Sequence, residues 1–106
     1  MNVKDERSRE IIRHAAAEFF QHESSGSALI TVTRVDISED AKRATVMLSV
    51  IPEGFEEQVL EFAKRKRSDL RTHLKKHTKL PRIPHVEVAL DIGEKNRQRI
   101  EELGSM

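Results

Sequence analysis

Cysteine, tryptophan and tyrosine are all missing from this chain, and each absence removes a class of chemistry. Without cysteine there are no disulfides, no thiolate metal sites and no thiol nucleophile. Nothing then points to an oxidising compartment, and the cytoplasm is the expected location. The aromatic inventory is four phenylalanines, Phe19, Phe20, Phe55 and Phe62. Most of these fall at core spacing, which leaves few rings for stacking on a ligand. No apolar run approaches the roughly 20 residues that span a bilayer, and Met1-Asn2-Val3-Lys4-Asp5-Glu6 lacks the apolar centre of a signal peptide, so neither a span nor a leader is expected. Glycine and proline are sparse, and no repeat or low-complexity segment is visible. Ser24-Ser25-Gly26-Ser27 lacks the lysine and the strand-to-helix setting of a phosphate-binding loop.

What is abundant is charge, at 35% of 106 residues against 37% apolar. That length suits one domain with one modest core, taken here as residues 1–106 with an ordered part at about 5–93. The net charge of +1 conceals a segregated pattern. Residues 64–82 hold nine cations, Lys64, Arg65, Lys66, Arg67, Arg71, Lys75, Lys76, Lys79 and Arg82, against the single anion Asp69. This local balance of +8 within an overall +1 leaves −7 for the remainder. A positive segment on an acidic body attracts a polyanion to one face and repels it from the others.

Residues 5–21 repeat Ile12, Ala16, Phe19 and Phe20 at helical spacing, which predicts an amphipathic helix stopped by the turn-rich 24–27. Residues 29–37 are β-branched and read as a strand, with Thr31, Thr33, Val35 and Ile37 on one face and Ile30, Val32, Arg34 and Asp36 on the other. After a turn at Ser38-Glu39-Asp40, Ala44, Val46, Leu48 and Val50 alternate with Thr45, Met47, Ser49 and Ile51, completing an antiparallel hairpin. Pro52-Glu53-Gly54 ends it. A helix carrying Phe55, Val59, Phe62 and Ala63 follows, but where the apolar stripe should continue the chain supplies Lys66 and Arg67. Charges there cannot face a core cheaply, so the helix either rotates or is interrupted; an interruption is the expectation, with Ser68 capping a second segment that carries Leu70 and Leu74 to about His77. Beyond Pro81 and Pro84, Val86, Val88, Leu90 and Ile92 alternate with Glu87, Ala89 and Asp91 as a third strand. Residues 94–103 are expected to form a short polar helix or tail.

Ile30-Thr31-Val32-Thr33-Arg34-Val35-Asp36-Ile37-Ser38-Glu39-Asp40 with Ala44-Thr45-Val46-Met47-Leu48-Ser49-Val50 resembles the hairpin of the bacterial ribosome-binding factor A family. Pro81-Arg82-Ile83-Pro84 leading into Val86-Glu87-Val88-Ala89-Leu90-Asp91 resembles it too, and the likeness in element order extends over about residues 5–103. The resemblance implies an α+β, type II KH-like fold, helix-strand-strand-helix-kink-helix-strand, whose three-stranded sheet has its helices packed on one face. It implies a kink of pattern Ala-x-Gly between the last two helices, where this chain has Lys66-Arg67-Ser68 with neither small residue. It also implies binding to the small ribosomal subunit and its rRNA, with help in late maturation and precursor processing.

Phosphate contact needs Lys and Arg together with helix N-termini that present aligned donors. Lys64, Arg65, Lys66, Arg67 and Ser68 offer both, and Arg71, Lys75, Lys76, Lys79 and Arg82 extend the surface. Arg9, Arg13, His73 and His77 are secondary candidates. A solvated helix face is the bland alternative for any charge run. Scarcity of aromatics makes shape and backbone contact, not base reading, the expected mode. His73 and His77 lie four apart, but they lack a third ligand and flank Lys75 and Lys76, so no metal or other cofactor is expected. Glu56-Glu57 and Glu101-Glu102 read as solvated pairs, so no catalytic residues, enzyme activity or small-molecule substrate is expected. The expected protein is a monomeric RNA-binding factor with the small subunit as partner and no membrane association. The rival is a scaffold domain whose basic face meets an acidic protein.

Overall fold

The structure, a computed structural model, describes residues 3–23, 28–51 and 53–92. Its elements are α1 (Val3–Glu23), β1 (Leu29–Ile37), β2 (Arg43–Ile51), α2 (Glu56–Arg65), α3 (Arg67–His77) and β3 (His85–Leu90). β1 and β2 pair antiparallel, and β3 joins the other side of β2 in parallel. Three helices and a mixed three-stranded sheet make an α+β fold of the expected KH-like order. The expected turn at 24–27 and the helix or tail at 94–103 lie outside the described residues.

The core forms between the helices and one face of the sheet. Ile12, Ala15, Ala16, Phe19 and Phe20 of α1 meet Val32, Val35, Ala44, Val46, Leu48, Val86 and Val88 of the sheet, with Ala63, Leu70 and Leu74 closing it from α2 and α3. Each large apolar side chain buried in this way contributes roughly 1.5–3 kcal/mol. β2 alternates as its sequence predicts, with Ala44, Val46, Leu48 and Val50 buried.

β1 does not keep the strict alternation expected of it. The pairing shifts between Val32 and Arg34, so Val32 faces Leu48 while Val35, three residues on, faces Val46. Thr33 is the extra residue of a β-bulge, and it reverses the parity of everything after it. Ile30, Val32, Val35 and Ile37 therefore share the core side. The Thr33 hydroxyl donates to Asp91 Oδ2, and the Asp91 N–H donates to Leu48 O at 2.8 Å. A buried carboxylate at the end of β3 thus holds the bulge two strands away. β3 is also shorter than its alternation suggests, ending at Leu90, with Asp91 buried and Ile92 66% exposed.

The hairpin turn is tied by the Ser38 hydroxyl and Asp40 Oδ1, which accepts from Lys42 N–H at 3.0 Å. It sets Ala41 at φ 60°, a left-handed conformation that a Cβ opposes. Ala41→Gly relieves about 1–2 kcal/mol of that strain and adds back about 0.5–1 kcal/mol of unfolded-chain entropy. A net gain of about 0.5–1 kcal/mol is expected, read as a higher urea midpoint at unchanged m.

Candidate nucleic-acid interface

The break expected from the charges at 66 and 67 is present, and it takes one residue. α2 ends at Arg65, α3 begins at Arg67, and Lys66 between them has φ −93° and ψ 5°. That conformation has negative φ and is open to any L-residue, so the bend needs neither alanine nor glycine. Lys66 N–H still reaches the carbonyls of Phe62 and Ala63, both at 3.1 Å, and Lys66 O accepts from Leu70 N–H at 2.9 Å. The axis turns while its backbone stays hydrogen-bonded. Ser68 is not the cap: the cap residue is Lys66, with no side-chain capping bond, and Ser68 lies exposed inside the first turn, its carbonyl accepting from the Thr72 hydroxyl.

Two of the nine cations are engaged within the molecule at this elbow. Arg67 Nε donates to Lys64 O at 3.0 Å, and its Nη1 donates to Glu87 Oε2 at 2.7 Å, fastening the start of α3 to β3. Lys66 lies 3.7 Å from Asp69 Oδ2 and 5.9 Å from the centre of the Phe62 ring. Lys64, Arg65, Arg71, Lys75, Lys76, Lys79 and Arg82 are exposed. Arg67, Arg71 and Lys75 fall at i, i+4 and i+8, a single stripe along α3. Leu70 and Leu74 on the adjoining face are buried and hold that stripe outward. Arg71 Nη2 also reaches Ile83 O at 3.4 Å. In the connection after α3, Leu80 and Ile83 pack against the core, leaving Lys79 and Arg82 at the surface. Cations in the last turns of both helices, Lys64 and Arg65 on α2 and Lys75 and Lys76 on α3, also suit the negative ends of their dipoles.

The segment does not present every cation in one direction. At about 100° per residue, Lys76 lies well round the helix from Arg71. It lines a groove against α1 with Glu18, Phe19, Asp69, Thr72, His73 and His77. Arg9 and Arg13 lie elsewhere, in a groove between α1 and β1 that they share with Arg34, Glu6 and Glu10. Arg13 is paired there with Glu10. Arg34 was not singled out by sequence, and the groove places it beside α1's arginines.

Glu87, likewise unforeseen, ties the elbow to the sheet. Its Oε1 lies 2.7 Å from His85 Nε2, and its Oε2 takes the Arg67 bond. The hydrogen bond from His85, then that from Arg67, hold its carboxyl below the usual range. A depressed folded-state value gives stability that is present above the unfolded pKa and lost as pH falls through the folded one. The thermal midpoint is expected to fall between about pH 5 and pH 3, and Glu87→Gln to flatten part of that fall relative to the parent.

Among the described residues no three His, Cys, Asp or Glu side chains are placed to hold a metal, and no helix is long and apolar enough to cross a membrane.

Residues 4–104 match the family model described as ribosome-binding factor A. No curated protein matches the chain. Among solved structures, the crystal structure of ribosome-binding factor A from Thermus thermophilus is similar, with TM-score 0.69 and 25% identity over 77% of this chain and 90% of that one. A homology model of the ribosome binding factor A of the same organism, fitted into the map of a 30S complex, gives TM-score 0.65 and 26% identity over 74% and 86%. A protein from Thermotoga maritima shares the fold at TM-score 0.66 and 22% identity, over 78% and 82%.

Proposed function

This chain belongs to the ribosome-binding factor A family, and from that premise we propose that it docks on the small ribosomal subunit, contacts its rRNA and assists late maturation and precursor processing. The observation that carries the reading is the exposed stripe of Arg71 and Lys75 on α3, with Arg71 reaching the Ile83 carbonyl next to Arg82. Lys64 and Lys79 are exposed nearby in the chain, while Arg65 lines a separate groove with Phe55, Val59 and Phe62. Its chemistry is that of phosphate contact: fixed cations on a rigid helix, seated over buried Leu70 and Leu74. The similar Thermus protein fitted into a 30S map supports the choice of partner. A monomer, cytoplasmic and without enzymatic activity, suffices for this role.

A salt titration on purified rRNA tests it. Backbone binding loses affinity with a log–log slope of about −0.7 to −0.9 for each phosphate neutralised, and it persists without ribosomal proteins. With four to six exposed cations in contact, a slope between about −3 and −5 is expected. Absence of binding to bare rRNA, with retention on whole subunits, would instead support an acidic protein as the partner.

A further inference from the structure

Three rings run outward from the core between α1 and α3. Phe19 is buried, His73 is half-buried against it with ring centres 5.5 Å apart, and the exposed His77 ring lies 4.3 Å from that of His73, tilted by 32°. Reading the sequence for phenylalanine alone misses this series, because two of its members are histidines brought to Phe19 only by packing. The groove beside it measures about 460 Å³, within the roughly 300–1,000 Å³ range of small-ligand clefts. It is rimmed by the exposed Glu18 carboxylate of α1 and by Asp69, Thr72 and Lys76 of α3, with the Asp69 carboxylate 3.7 Å from Lys66 Nζ.

We propose that this groove seats one unpaired guanine of an RNA strand, stacked on His77, with its Watson–Crick edge on Glu18 and its phosphate on Lys76. The proposal rests on the RNA-binding reading above and adds a base to it. Stacking on an imidazole face suits any base. The carboxylate narrows the choice. Guanine presents two adjacent donors, N1–H and the N2 amino group, which match the two oxygens of a carboxylate; adenine and cytosine place an acceptor at the ring nitrogen, and uracil flanks its one donor with carbonyls. The site is reachable from the proposed backbone contacts. Lys75 and Lys76 are neighbours about 100° apart on α3, so a strand following Arg71 and Lys75 turns a base over that helix to enter the groove.

The test uses the full chain and three seven-nucleotide uridine strands whose centre is guanosine, adenosine or an abasic ribose. Anisotropy gives the affinities, and NMR follows the His77 ring protons. The guanosine strand is expected to bind at least about fivefold tighter than the abasic one, the lower end of what one base–ring stack contributes. It should move the His77 ring protons upfield. His77→Ala should bring the guanosine strand down to the abasic level, His77→Phe should restore it, and Glu18→Ala should erase the preference for guanosine over adenosine. Equal affinity for the three strands, or an unaltered His77→Ala variant, overturns the groove. If those equal affinities fall steeply with salt, backbone contact stands without it. If neither the strands nor rRNA bind, both readings are lost.

Discussion

Replacing Arg71 and Lys75 together by glutamate is expected to abolish co-sedimentation with small ribosomal subunits while leaving the fold intact. Both side chains are exposed on one stripe of α3. Among the described residues, the one hydrogen bond or ion pair that either side chain makes is the long bond from Arg71 to Ile83 O, 3.4 Å at an exposed site. The glutamate at 75 opposes the α3 dipole at a cost of about 0.3–1 kcal/mol, small against the roughly 5–15 kcal/mol of a domain. The effect on binding is of another order. Each reversal removes a phosphate contact and sets a like charge against the backbone, so affinity should fall about a hundredfold or more. The salt slope of residual binding to rRNA should shrink by about two. Reversing Lys64, Arg65, Lys66 and Arg67 is a less clean probe, because Arg67 holds Glu87 and Lys66 lies over Phe62. Loss of binding there would mix a broken elbow with a broken contact. If the Arg71/Lys75 variant pellets with subunits as the parent does, the stripe is not the interface.

Leu70→Ala should be among the most damaging single substitutions for stability. Leu70 is fully buried one turn past the elbow, where its side chain joins the cluster built by α1 and the sheet. Truncating such a leucine costs about 2–5 kcal/mol, partly as lost burial and partly as the cavity left behind. Against a total of about 5–15 kcal/mol for a domain of this kind, the variant is expected to be partly unfolded near 37 °C. Urea denaturation followed by circular dichroism measures it, as a fallen midpoint with m unchanged. A loss under about 1 kcal/mol would mean that α3 is not seated on the core as described.

Much of the architecture was legible because the apolar pattern is locally consistent. The core stripe of α1, the alternation of β2 and the interruption at Lys66 each follow from where a charge or a methyl group tolerates burial. What escaped the pattern depended on single residues or on distant neighbours. Thr33 reverses the parity of β1, and no local rule marks a threonine among β-branched residues as the bulge. Ser68 resembles a cap, yet the bend consumes only Lys66, whose hydrogen bonds continue on both sides and leave no cap position for the serine. Ile92 extends the alternation of β3 on paper, but the strand stops at Leu90, and the Asp91 side chain turns to Thr33. The cationic segment itself was plain in sequence. That Arg67 has an acidic partner twenty residues away, and that Lys76 turns toward α1, required the helices to be placed.

The parallel pairing of β3 with β2 has a kinetic consequence. The chain between Ile51 and His85, 33 residues long, contains both α2 and α3, so the elbow lies inside the loop that β3 closes when it zips onto the sheet. The hairpin of β1 and β2 needs only a short turn and forms from nearby contacts, whereas β3 must first overcome the closure entropy of the long crossover. α2 and α3 are therefore expected to reach their final seats late, together with completion of the sheet. Amide exchange at Glu87 and Ala89, whose N–H groups alternate in step with those of His85 and Asp91 that bond to β2, is then expected to report on the helices as well as on the strand, and a chain whose last strand has not docked holds its cations on helices that have no fixed direction.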